Sequence, residues 1–568
     1  MSLHVPIGRW VRAAAARCLL AASLACAGGT ALAQAPQAPG GGVAAGAAEA
    51  VAKPGAGVAT AYRLLASGAS ADRFKAVQAL LEQGDDAAAS VLRAMADGGL
   101  AVAADGSAGW IERKGAWFDA ATGRPVAAPV PLPDAVRLNN RLRNEIAGAL
   151  ASLRLFSASA EQRRAAAREL QERPDPAQLA NLQKARGLER DASIAVELAT
   201  AIALLEIRAD DAATRLRAVE ALADSDRLDV RSILERMLSR GADGQPLEPD
   251  AKVRAAVQVS LSSVDRRLTV NEYLGRVFAG LSLGSILMLA AMGLAITYGL
   301  LGVINMAHGE MIMIGAYCAF FTQSLMRQSL PALFDWYPVL ALPVAFVVCA
   351  AVGILIERLV IRHLYGRPLE TLLATWGISL ILIQAVRTIF GPQNVEIENP
   401  GWLSGGIAWA SLVLPYNRIV IIGFSLAVLA AVWLVLSRTR LGLFVRGVTQ
   451  NRPMAGAIGV PTAKVDMLAF GLGSGIAGLA GVALSQVGNV GPELGQAYII
   501  DSFIVVVAGG VGQLLGAVVA GFGLGVLSKF IEPSMGAVVT KILILVAIIG
   551  FIQRRPQGIF ALKSRETA

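Results

Sequence analysis

The chain is poor in cysteine, in histidine and in charged residues for its length. Of 568 residues, four are cysteine and three are histidine, and Asp, Glu, Lys and Arg together make up 16%. Soluble globular proteins carry roughly 25% charged residues. The low charge and the 55% of hydrophobic residues therefore exclude a soluble enzyme, a fibre and a disordered chain, and they indicate a membrane protein.

Charge is distributed unevenly along the chain. Residues 271–568 hold 18 of the 51 basic and 12 of the 42 acidic side chains, which leaves 33 and 30 for residues 1–270. The first part therefore predicts a water-soluble region and the second a lipid-embedded one. No histidine lies between His4 and His308. Because the soluble part has neither a Cys–His pair nor a metal-ligand cluster, we expect a protein-contact module rather than an enzyme there.

Residues 1–33 have the pattern of a secretory signal peptide. A basic n-region precedes a short apolar run, and Ala31-Leu32-Ala33 supplies a small-x-small cleavage site. A lipoprotein signal ending at Cys26 and an uncleaved anchor are the alternatives. A cleaved signal would place the chain from Gln34 onward outside the cytoplasmic membrane, where an exported region without cysteine could form no disulfide framework.

Residues 34–60 are rich in Ala, Gly and Pro and predict a flexible linker. Over 61–268 apolar residues recur mostly at helical spacing, in segments separated by short turns that contain Asp, Pro and Gly. Near 100–130 the pattern changes, and Trp110–Phe118 followed by Thr122-Gly123 predicts a small β insert. Stacked helices of this kind are typical of HEAT-like solenoids, since one helix pair cannot bury its apolar face alone. We expect 61–268 to be a periplasmic helical domain.

Residues 269–568 predict an all-α, polytopic membrane bundle. Eight hydrophobic stretches can each reach across a ~30 Å hydrocarbon layer. They lie at about 274–300, 303–327, 338–361, 369–390, 415–436, 465–488, 499–529 and 537–553. Clusters of basic residues follow the third, fifth and last stretches, which predicts that these three segments are cytoplasmic.

The seventh stretch is too long for one simple crossing. As a single helix, 499–529 would extend about 46 Å, and eight single crossings would leave the basic tail outside the cytoplasm. Gly509, Gly510 and Gly512 lie near its middle. We therefore predict that this stretch breaks into two short helices or re-enters the membrane. Irregular backbone at membrane depth is tolerated only beside protein or a water-filled cavity, so these glycines are candidates for a solute path.

The segment from Asn305 to Glu310 is the most informative polar cluster. At 100° per residue, Asn305 and His308 share a helix face, while Glu310 is turned by about 200° from His308. An ionisable residue inside a span faces the bundle interior or water, which suggests a function. The alternative is that these groups satisfy one another and pin neighbouring helices. We favour that alternative for His308, and for Glu310 both interpretations remain open.

The loop 437–464 predicts a short amphipathic helix at the cytoplasmic face. Ordinary positive-inside charge also explains its basic residues, but its length and its Gly and Pro borders favour docking of a partner. Gly473–Gly478 matches G-x-G-x-x-G, yet it lies within a hydrophobic span, so we interpret it as helix packing. The sequence has no G-x-x-x-x-G-K-[ST] phosphate loop and cannot itself use ATP by that mechanism.

Several of these segments together resemble the permease subunits of branched-chain amino-acid-type ABC importers. The resemblance covers residues 271–568. It rests on Gly299–Glu310, on Thr439–Gly442 with Ile458–Val460, on Val507–Gly512 with Gly516-Ala517, and on the closing Arg554–Phe560. Within this family the chain looks most like permeases of urea importers with an extended periplasmic N-terminus, through Leu373–Leu380, Arg387–Gly391 and Trp402–Gly406. It departs from another importer class, because the E-A-A-x-x-x-G loop is missing.

The resemblance implies a heteromeric importer in the bacterial inner membrane, with the C-terminus of this chain in the cytoplasm. The implied partners are a second permease, two cytoplasmic ATP-binding subunits and a periplasmic solute-binding protein. ATP would be bound by those partners, and this chain would need no cofactor or metal. Contact with the ATPases is implied for the loop that holds Arg440, Arg446, Arg452 and Gly459.

Urea is neutral, with one strong acceptor and four N–H donors, so its path needs polar groups without fixed charge. The candidate solute-path residues are Asn305, His308, Glu310, Thr375, Ser379, Gln384 and Asn489. A branched-chain amino acid permease of the same family is the nearest alternative. A membrane-anchored interaction or sensor protein and a passive urea channel are the others.

Overall fold

The structure is a computed structural model, and it describes residues 56–67, 69–113, 116–127, 136, 138–242, 244–302, 304–409 and 412–560. The predicted signal peptide at 1–33 lies outside the described residues, and so does the predicted linker except for residues 56–60, which lie in the first helix. The chain divides into two compact units, Met1–Arg137 and Leu138–Ala568.

In the part of the first unit that the structure describes, three α-helices precede a four-stranded antiparallel sheet. They are α1 Ala56–Ala66, α2 Ser70–Gln83 and α3 Asp86–Ala96, followed by β1 Leu100–Val102, β2 Gly109–Arg113, β3 Ala116–Asp119 and β4 Pro125–Val126. α2 ends at Gly84, whose φ of +65° is left-handed, and Asp85 caps α3 by accepting a hydrogen bond from the Ala88 amide at 2.8 Å. Tyr62 and Leu92 are among the buried core residues.

The second unit begins with a helical section of six helices. They are α4 Asn140–Arg154, α5 Ala160–Glu172, α6 Leu179–Leu188, α7 Ala192–Glu206, α8 Ala212–Leu222 and α9 Leu228–Leu238. The side chains of Asn139, Asp191 and Asp211 cap α4, α7 and α8. α5 and α6 pack on α7, and α8 and α9 pack on the helix that follows them. The same three-helix arrangement therefore occurs twice.

A repeated ion pair joins the first helix of each group to the start of the third. Arg163 of α5 pairs with Glu189 at 2.8 Å, and Arg215 of α8 pairs with Glu248 at 2.8 Å. Each glutamate lies two residues before the N-cap aspartate of the third helix. Each arginine also donates to two backbone carbonyls just before its own helix. This recurrence supports the prediction of tandem HEAT-like repeats, which stays a prediction.

The next helix, α10, runs without interruption from Ala251 to Leu301. Its 51 residues extend about 76 Å. Val253 and Val257 lie in the core of the helical section, whereas Ile286 and Leu289 lie in a core of the membrane section. The predicted domain boundary at residue 268 falls inside this helix, so the helical section continues into the first membrane span without a loop.

Ten α-helices of the described residues follow α10. They are α11 His308–Ser329, α12 Tyr337–Leu359, α13 Pro368–Phe390, α14 Tyr416–Arg438, α15 Arg440–Gln450, α16 Arg452–Ala457, α17 Thr462–Ser485, α18 Leu494–Gly509, α19 Leu514–Met535 and α20 Ala537–Arg554. A hairpin of β5 Gly406–Trp409 and β6 Leu412–Pro415 lies between α13 and α14. Seven helices of the described part are long and apolar enough to cross a membrane, and α18 is a shorter apolar helix. The predicted polytopic helical bundle is confirmed.

The stretch 499–529 is broken, as predicted. α18 ends at Gly509 and α19 starts at Leu514, with Gly510 and Gly512 both at positive φ in the turn between them. Glycine adopts this conformation without the steric cost that other residues have there. The break divides the seventh hydrophobic stretch between two helices, of which α19 is long enough to cross a membrane and α18 is shorter.

The turn after α18 lies at the same end of the bundle as α15. Gly512 packs against Gly299 near the end of α10, and Val448 of α15 shares a core cluster with Leu300 of α10. The segment that follows α20 also contacts this turn, since a Cβ on Gly510 would lie 2.5 Å from the Phe560 carbonyl oxygen. The basic end of α20 and the basic loop between α14 and α17 are therefore at one face of the bundle.

The glycines of α17 allow neighbouring helices to approach closely. A Cβ on Gly473 would lie 2.6 Å from the Gly293 carbonyl oxygen of α10, and a Cβ on Gly478 would lie 2.6 Å from the Cys349 sulfur of α12. Both contacts are too short for a real side chain. The G-x-G-x-x-G match in this helix is thus explained by helix packing.

Candidate functional site

The chain turns back into the bundle between α10 and α11. α10 ends with Gly302 at a left-handed φ of +65°, and α11 begins at His308. The His308 ring nitrogen Nε2 lies 3.0 Å from the carbonyl oxygen of Ala290. Ala290 precedes the end of α10 by eleven residues, which is about 16 Å along the helix axis. α11 therefore starts well inside the membrane section.

The N-terminus of a second helix, α18, lies at the same place. A Cβ on Gly309 would lie 2.6 Å from the Gly495 carbonyl oxygen, so the first turn of α11 packs directly on the first turn of α18. Helix N-termini carry partial positive charge and unpaired N–H groups. In several transporter folds the solute site lies where such half-helices meet near the bilayer midplane.

Buried polar side chains surround the start of α11. Ser379 donates a hydrogen bond of 2.9 Å to Glu310 Oε1, and the Met306 amide donates to Thr375 Oγ1 at 3.2 Å. Asn305 Oδ1 accepts from the Ala307 amide at 3.0 Å. Asn305, Glu310, Thr375 and Ser379 are each at most 3% exposed. The structure therefore brings together four of the seven predicted solute-path residues, here called the Glu310 cluster.

The Glu310 cluster is positioned by one face of α13. Thr371, Thr375 and Ser379 follow each other at four-residue spacing, so they lie on the same side of the helix, and all three are buried. The other faces of α13 carry large exposed apolar residues such as Leu373 and Ile381. α13 thus presents a polar stripe to α11 and an apolar surface outward.

Two buried atoms beside this cluster have no hydrogen-bond partner among the described residues, namely Glu310 Oε2 and His308 Nδ1. Buried polar atoms are normally satisfied, so an unpaired carboxylate oxygen here indicates a missing partner. His308 is fully buried, and its ring lies 3.1 Å from a Cβ built on Gly293. This tight fit against α10 favours a packing role for His308, whereas Glu310 Oε2 is a buried acceptor without a partner among the described residues.

Gln384 and Asn489 lie apart from the Glu310 cluster. Gln384 is exposed on α13, about one and a half turns beyond Ser379 in the direction of the helix end at Phe390. Asn489 is exposed in the connection between α17 and α18. The structure does not bring these two residues to the other candidates.

The broken-helix glycines form a docking point for the C-terminal segment. The Ile559 amide donates to the Ala508 carbonyl at 2.9 Å, and the Phe560 amide donates to the Gly509 carbonyl at 3.3 Å. These carbonyls belong to the last turn of α18, where no amide within the helix is available to them. Residues 558–560 therefore cap α18. The sequence placed Gly509, Gly510 and Gly512 in a candidate path but did not reveal this cap.

Arg452 joins α16 to two membrane helices. Its Nη1 lies 3.3 Å from Asp466 Oδ1, near the start of α17, and its guanidinium lies 4.6 Å from the centre of the Tyr365 ring. Tyr365 in turn donates to Glu357 of α12 at 3.0 Å. Burial raises the pKa of Tyr365, and the nearby Asp466 and Glu357 act in the same direction, so the hydroxyl remains a neutral donor. Asp466 itself is completely buried.

The sequence singled out Arg452 but missed its two partners, Asp466 and Tyr365, and the contact of Tyr365 with Glu357. Asp466 could have been found, because it is an acid in the first turn of a hydrophobic stretch, where an ionisable residue implies a partner. Tyr365 lies in the connection between α12 and α13, where it contacts Glu357 at the end of α12, and only the fold brings Tyr365 to Arg452.

α15 and α16 present an exposed surface of mixed character. Arg440 and Arg446 are exposed, and so are the apolar side chains Leu443, Met454 and Ile458. Gly459, at a φ of +90°, ends this segment. Apolar residues rimmed by charge are typical of a surface that binds another protein. Among the described residues, no group of three or more His, Cys, Asp or Glu side chains could hold a metal ion.

Comparison with known proteins places residues 276–552 in a sequence family described as branched-chain amino acid transport system, permease component. The chain is 31% identical over 301 residues to the high-affinity branched-chain amino acid transport system permease protein BraD of Pseudomonas aeruginosa, which covers 51% of this chain and 96% of that protein. It is 31% identical over 261 residues to the corresponding protein LivH of Escherichia coli, covering 45% and 84%. A ribose import permease protein of E. coli, RbsC, is 27% identical over 224 residues, covering 36% and 68%. No solved structure matches the chain.

Proposed function

This chain belongs to the family of branched-chain amino acid transport permease components, and we propose that it forms one part of the membrane path of an ATP-driven importer. The other parts would be a second permease, two ATP-binding subunits in the cytoplasm and a solute-binding protein in the periplasm. The chain would supply no catalytic residue, since its relatives are transport permeases. The exposed surface of α15 and α16, with its apolar and basic side chains, supports contact with the ATP-binding subunits.

In this proposal the domains have the arrangement expected from the sequence. The first 33 residues direct export, 34–60 form a linker, 61–268 form a periplasmic helical domain and 269–568 form the permease. The recurring Arg–Glu pairs support a repeat architecture for the helical domain. The bundle face that carries α15, α16 and the end of α20 would be cytoplasmic, because the basic residues concentrate there.

The single observation that carries the solute path is the free Glu310 Oε2 atom. It is buried where the N-termini of α11 and α18 meet, beside the hydroxyls of Thr375 and Ser379. An unpaired buried acceptor binds a solute that offers N–H groups, and the hydroxyls can donate to or accept from the same solute. We place the path along the Glu310 cluster, with Asn305, Thr375 and Ser379 as its polar wall.

The solute that we propose is urea. It offers four N–H donors to the Glu310 carboxylate and one acceptor to the hydroxyls, and the chain resembles urea importer permeases in the segments named above. A second candidate is a branched-chain amino acid, whose ammonium group would also bind Glu310. The names of BraD and LivH favour this candidate.

The test is uptake into proteoliposomes that contain this chain, its co-purifying subunits and the corresponding binding protein. We expect labelled urea to accumulate only with ATP, while labelled leucine is excluded. ATP-dependent leucine uptake would support the importer but would show that its solute is an amino acid and not urea. ATP-independent urea flux would support a channel, and a purified chain that recruits no ATP-binding subunit would overturn the importer itself.

A further inference from the structure

A cavity separate from the Glu310 cluster lies between α10, α18, α19 and α20. Its volume is about 220 Å³. Its two ends differ in polarity. Asp501, Lys529, Glu532 and Lys541 line it together with an apolar wall that includes Leu287, Ile504, Leu524 and Ile544.

The charged groups lie at one end of the cavity. Lys529 and Glu532 are in the last two turns of α19, and Lys541 is in the second turn of α20, so these three flank the connection between the two helices. Leu524 lies eight residues before Glu532, which is about 12 Å deeper along α19. The cavity is therefore amphipathic, with a polar end at the α19–α20 turn and an apolar end inside the bundle.

The four charges form two pairs of opposite sign. The Lys541 ammonium lies 3.0 Å from Asp501 Oδ2, and the Lys529 ammonium lies 2.6 Å from Glu532 Oε2. Ionisable residues are costly within membrane helices, and they commonly mark a site or a path. A free anion would be attracted by the lysines but repelled by the carboxylates. A free cation would be attracted by the carboxylates but repelled by the lysines. A zwitterion satisfies both signs at once.

We propose that this cavity binds a zwitterion that carries an apolar chain. The anionic group of the ligand binds Lys541 or Lys529, its ammonium binds Asp501 or Glu532, and its apolar chain lies against Leu524 and Ile544. Two sources supply this chemistry, a free aliphatic amino acid and the headgroup of phosphatidylethanolamine. The site is distinct from the Glu310 cluster, so the proposal does not depend on which solute passes that cluster.

The test uses the complete purified complex in nanodiscs of phosphatidylglycerol, which lack zwitterionic lipid. Labelled leucine is the first probe, and fluorescent phosphatidylethanolamine added to the nanodiscs is the second. We expect saturable binding of one of them. For leucine, competitors that lack one charge, leucinamide and 4-methylpentanoate, should bind at least tenfold more weakly, because each loses a charge-assisted contact. Leucine binding identifies the amino acid as the ligand, and binding of phosphatidylethanolamine alone identifies the lipid.

Three variants show whether binding occurs in this cavity. Asp501→Asn and Lys541→Gln each remove one charge, and Ile544→Trp fills the apolar end without changing any charge. Each should weaken binding of the active probe at least tenfold. The matched control is Arg327→Gln, which removes an exposed ion pair with Glu398 elsewhere in the chain and should leave binding unchanged. ATP hydrolysis by each complex reports assembly. Failure of both probes to bind, or equal binding in wild type and in Ile544→Trp, would overturn the proposal.

Discussion

Glu310 is held through only one of its two carboxylate oxygens. Ser379 donates to Oε1, while Oε2 is buried without a partner among the described residues. Replacing Glu310 by Gln keeps the size of the side chain but substitutes an amide for the acceptor. If the solute donates N–H groups to this residue, Glu310→Gln should lower ATP-dependent uptake at least tenfold, as measured in proteoliposomes.

The control for this variant is Thr388→Val. Thr388 lies on the same helix as Ser379, and its hydroxyl bonds only the Gln384 carbonyl of its own helix in the described contacts. Its uptake should stay within about twofold of wild type, since an exposed surface substitution has little effect on stability. Normal uptake in Glu310→Gln would assign this glutamate to helix packing instead.

Glu189 is an acid whose charge stabilises the helical section. Hydrogen bonds from the Arg163 guanidinium are the largest cause that lowers the pKa of Glu189 to about 2, and the Asp191 and Arg190 amides add to this. An unfolded glutamate titrates near ~4.3. Because the folded pKa is the lower one, the stabilisation is complete above the unfolded pKa and is lost as the pH falls from about 5 towards 2.

Hydrogen exchange of the full-length chain in detergent can measure this effect. After correction for the intrinsic pH dependence, protection of the α5 and α7 amides should fall between pH 5 and pH 3. In Glu189→Gln the protection should already be lower at pH 6 and should change less with pH. Glu161→Gln, which alters an exposed acid of α5, should behave like wild type. An unchanged pH dependence in Glu189→Gln would show that other groups control acid sensitivity.

At the scale of helices, α16 is attached to α17 through one ion pair. Arg452 reaches the completely buried Asp466 and also lies over Tyr365. Asp466→Asn removes the charge that holds Arg452, so movement of α16 should no longer be passed to α17. We expect ATP hydrolysis by the complex to continue while uptake per ATP falls severalfold.

Arg438→Gln is the matched control for that coupling experiment. Arg438 is an exposed basic residue at the end of α14, in the same basic region, and its loss should leave the uptake-to-hydrolysis ratio unchanged. Equal ratios in Asp466→Asn and wild type would mean that the ion pair is only structural. A parallel loss of hydrolysis and uptake would mean that the variant fails to assemble.

The end of α18 depends on a glycine for its cap. Gly510 has a φ of +103°, and a Cβ there would lie 2.5 Å from the Phe560 carbonyl oxygen. Gly510→Ala should therefore displace residues 558–560 and expose the Ala508 and Gly509 carbonyls. Amide exchange at Ile559 should become roughly tenfold faster, because a strained backbone costs about 1–3 kcal/mol.

Gly523→Ala provides the comparison for that cap. Gly523 lies inside α19, where an added Cβ meets nothing within 4 Å, and alanine favours a helix over glycine. In the Gly523→Ala variant, amide hydrogen exchange at Ile559 should be as slow as in the wild type. Slow exchange at Ile559 in Gly510→Ala would show that the tail is held by other contacts.

For the whole molecule, the break after α18 decides at which face of the bundle α20 ends. With this break, the end of α20 lies at the face that carries α15 and α16, and positive-inside charge predicts that this face is cytoplasmic. We expect a membrane-impermeant maleimide to label Ser404→Cys in right-side-out membranes, but not Ser437→Cys or Arg555→Cys. All three positions are exposed.

The background for that experiment replaces all four native cysteines. Labelling after detergent permeabilisation should reach all three positions, which confirms that each cysteine can react. Labelling of Arg555→Cys together with Ser404→Cys in intact membranes would contradict the crossing count. Labelling of all three would indicate leaky or inverted membranes and is checked with a cytoplasmic marker.

The sequence by itself determined the class of this protein and the position of its helices. Low charge after residue 270 and long apolar stretches are averages over many residues, so no single contact can reverse them. The break in 499–529 was also predictable from the sequence. The stretch is too long for one crossing, and an even number of crossings would leave the basic tail outside the cytoplasm. Asn305–Glu310 stood out since polar residues are rare in an apolar stretch.

Tertiary structure alone decided which of these residues meet. Asn305, Glu310, Thr375 and Ser379 converge because α11 begins deep inside the bundle, which no local pattern encodes. Gln384 and Asn489 have the same polar character, yet the fold leaves them exposed elsewhere. The partners of Arg452, the tail that caps α18 and the ion pair between Asp501 and Lys541 arise likewise from contacts between different elements of the fold. Such contacts depend on how helices pack, and composition and periodicity carry no information about that.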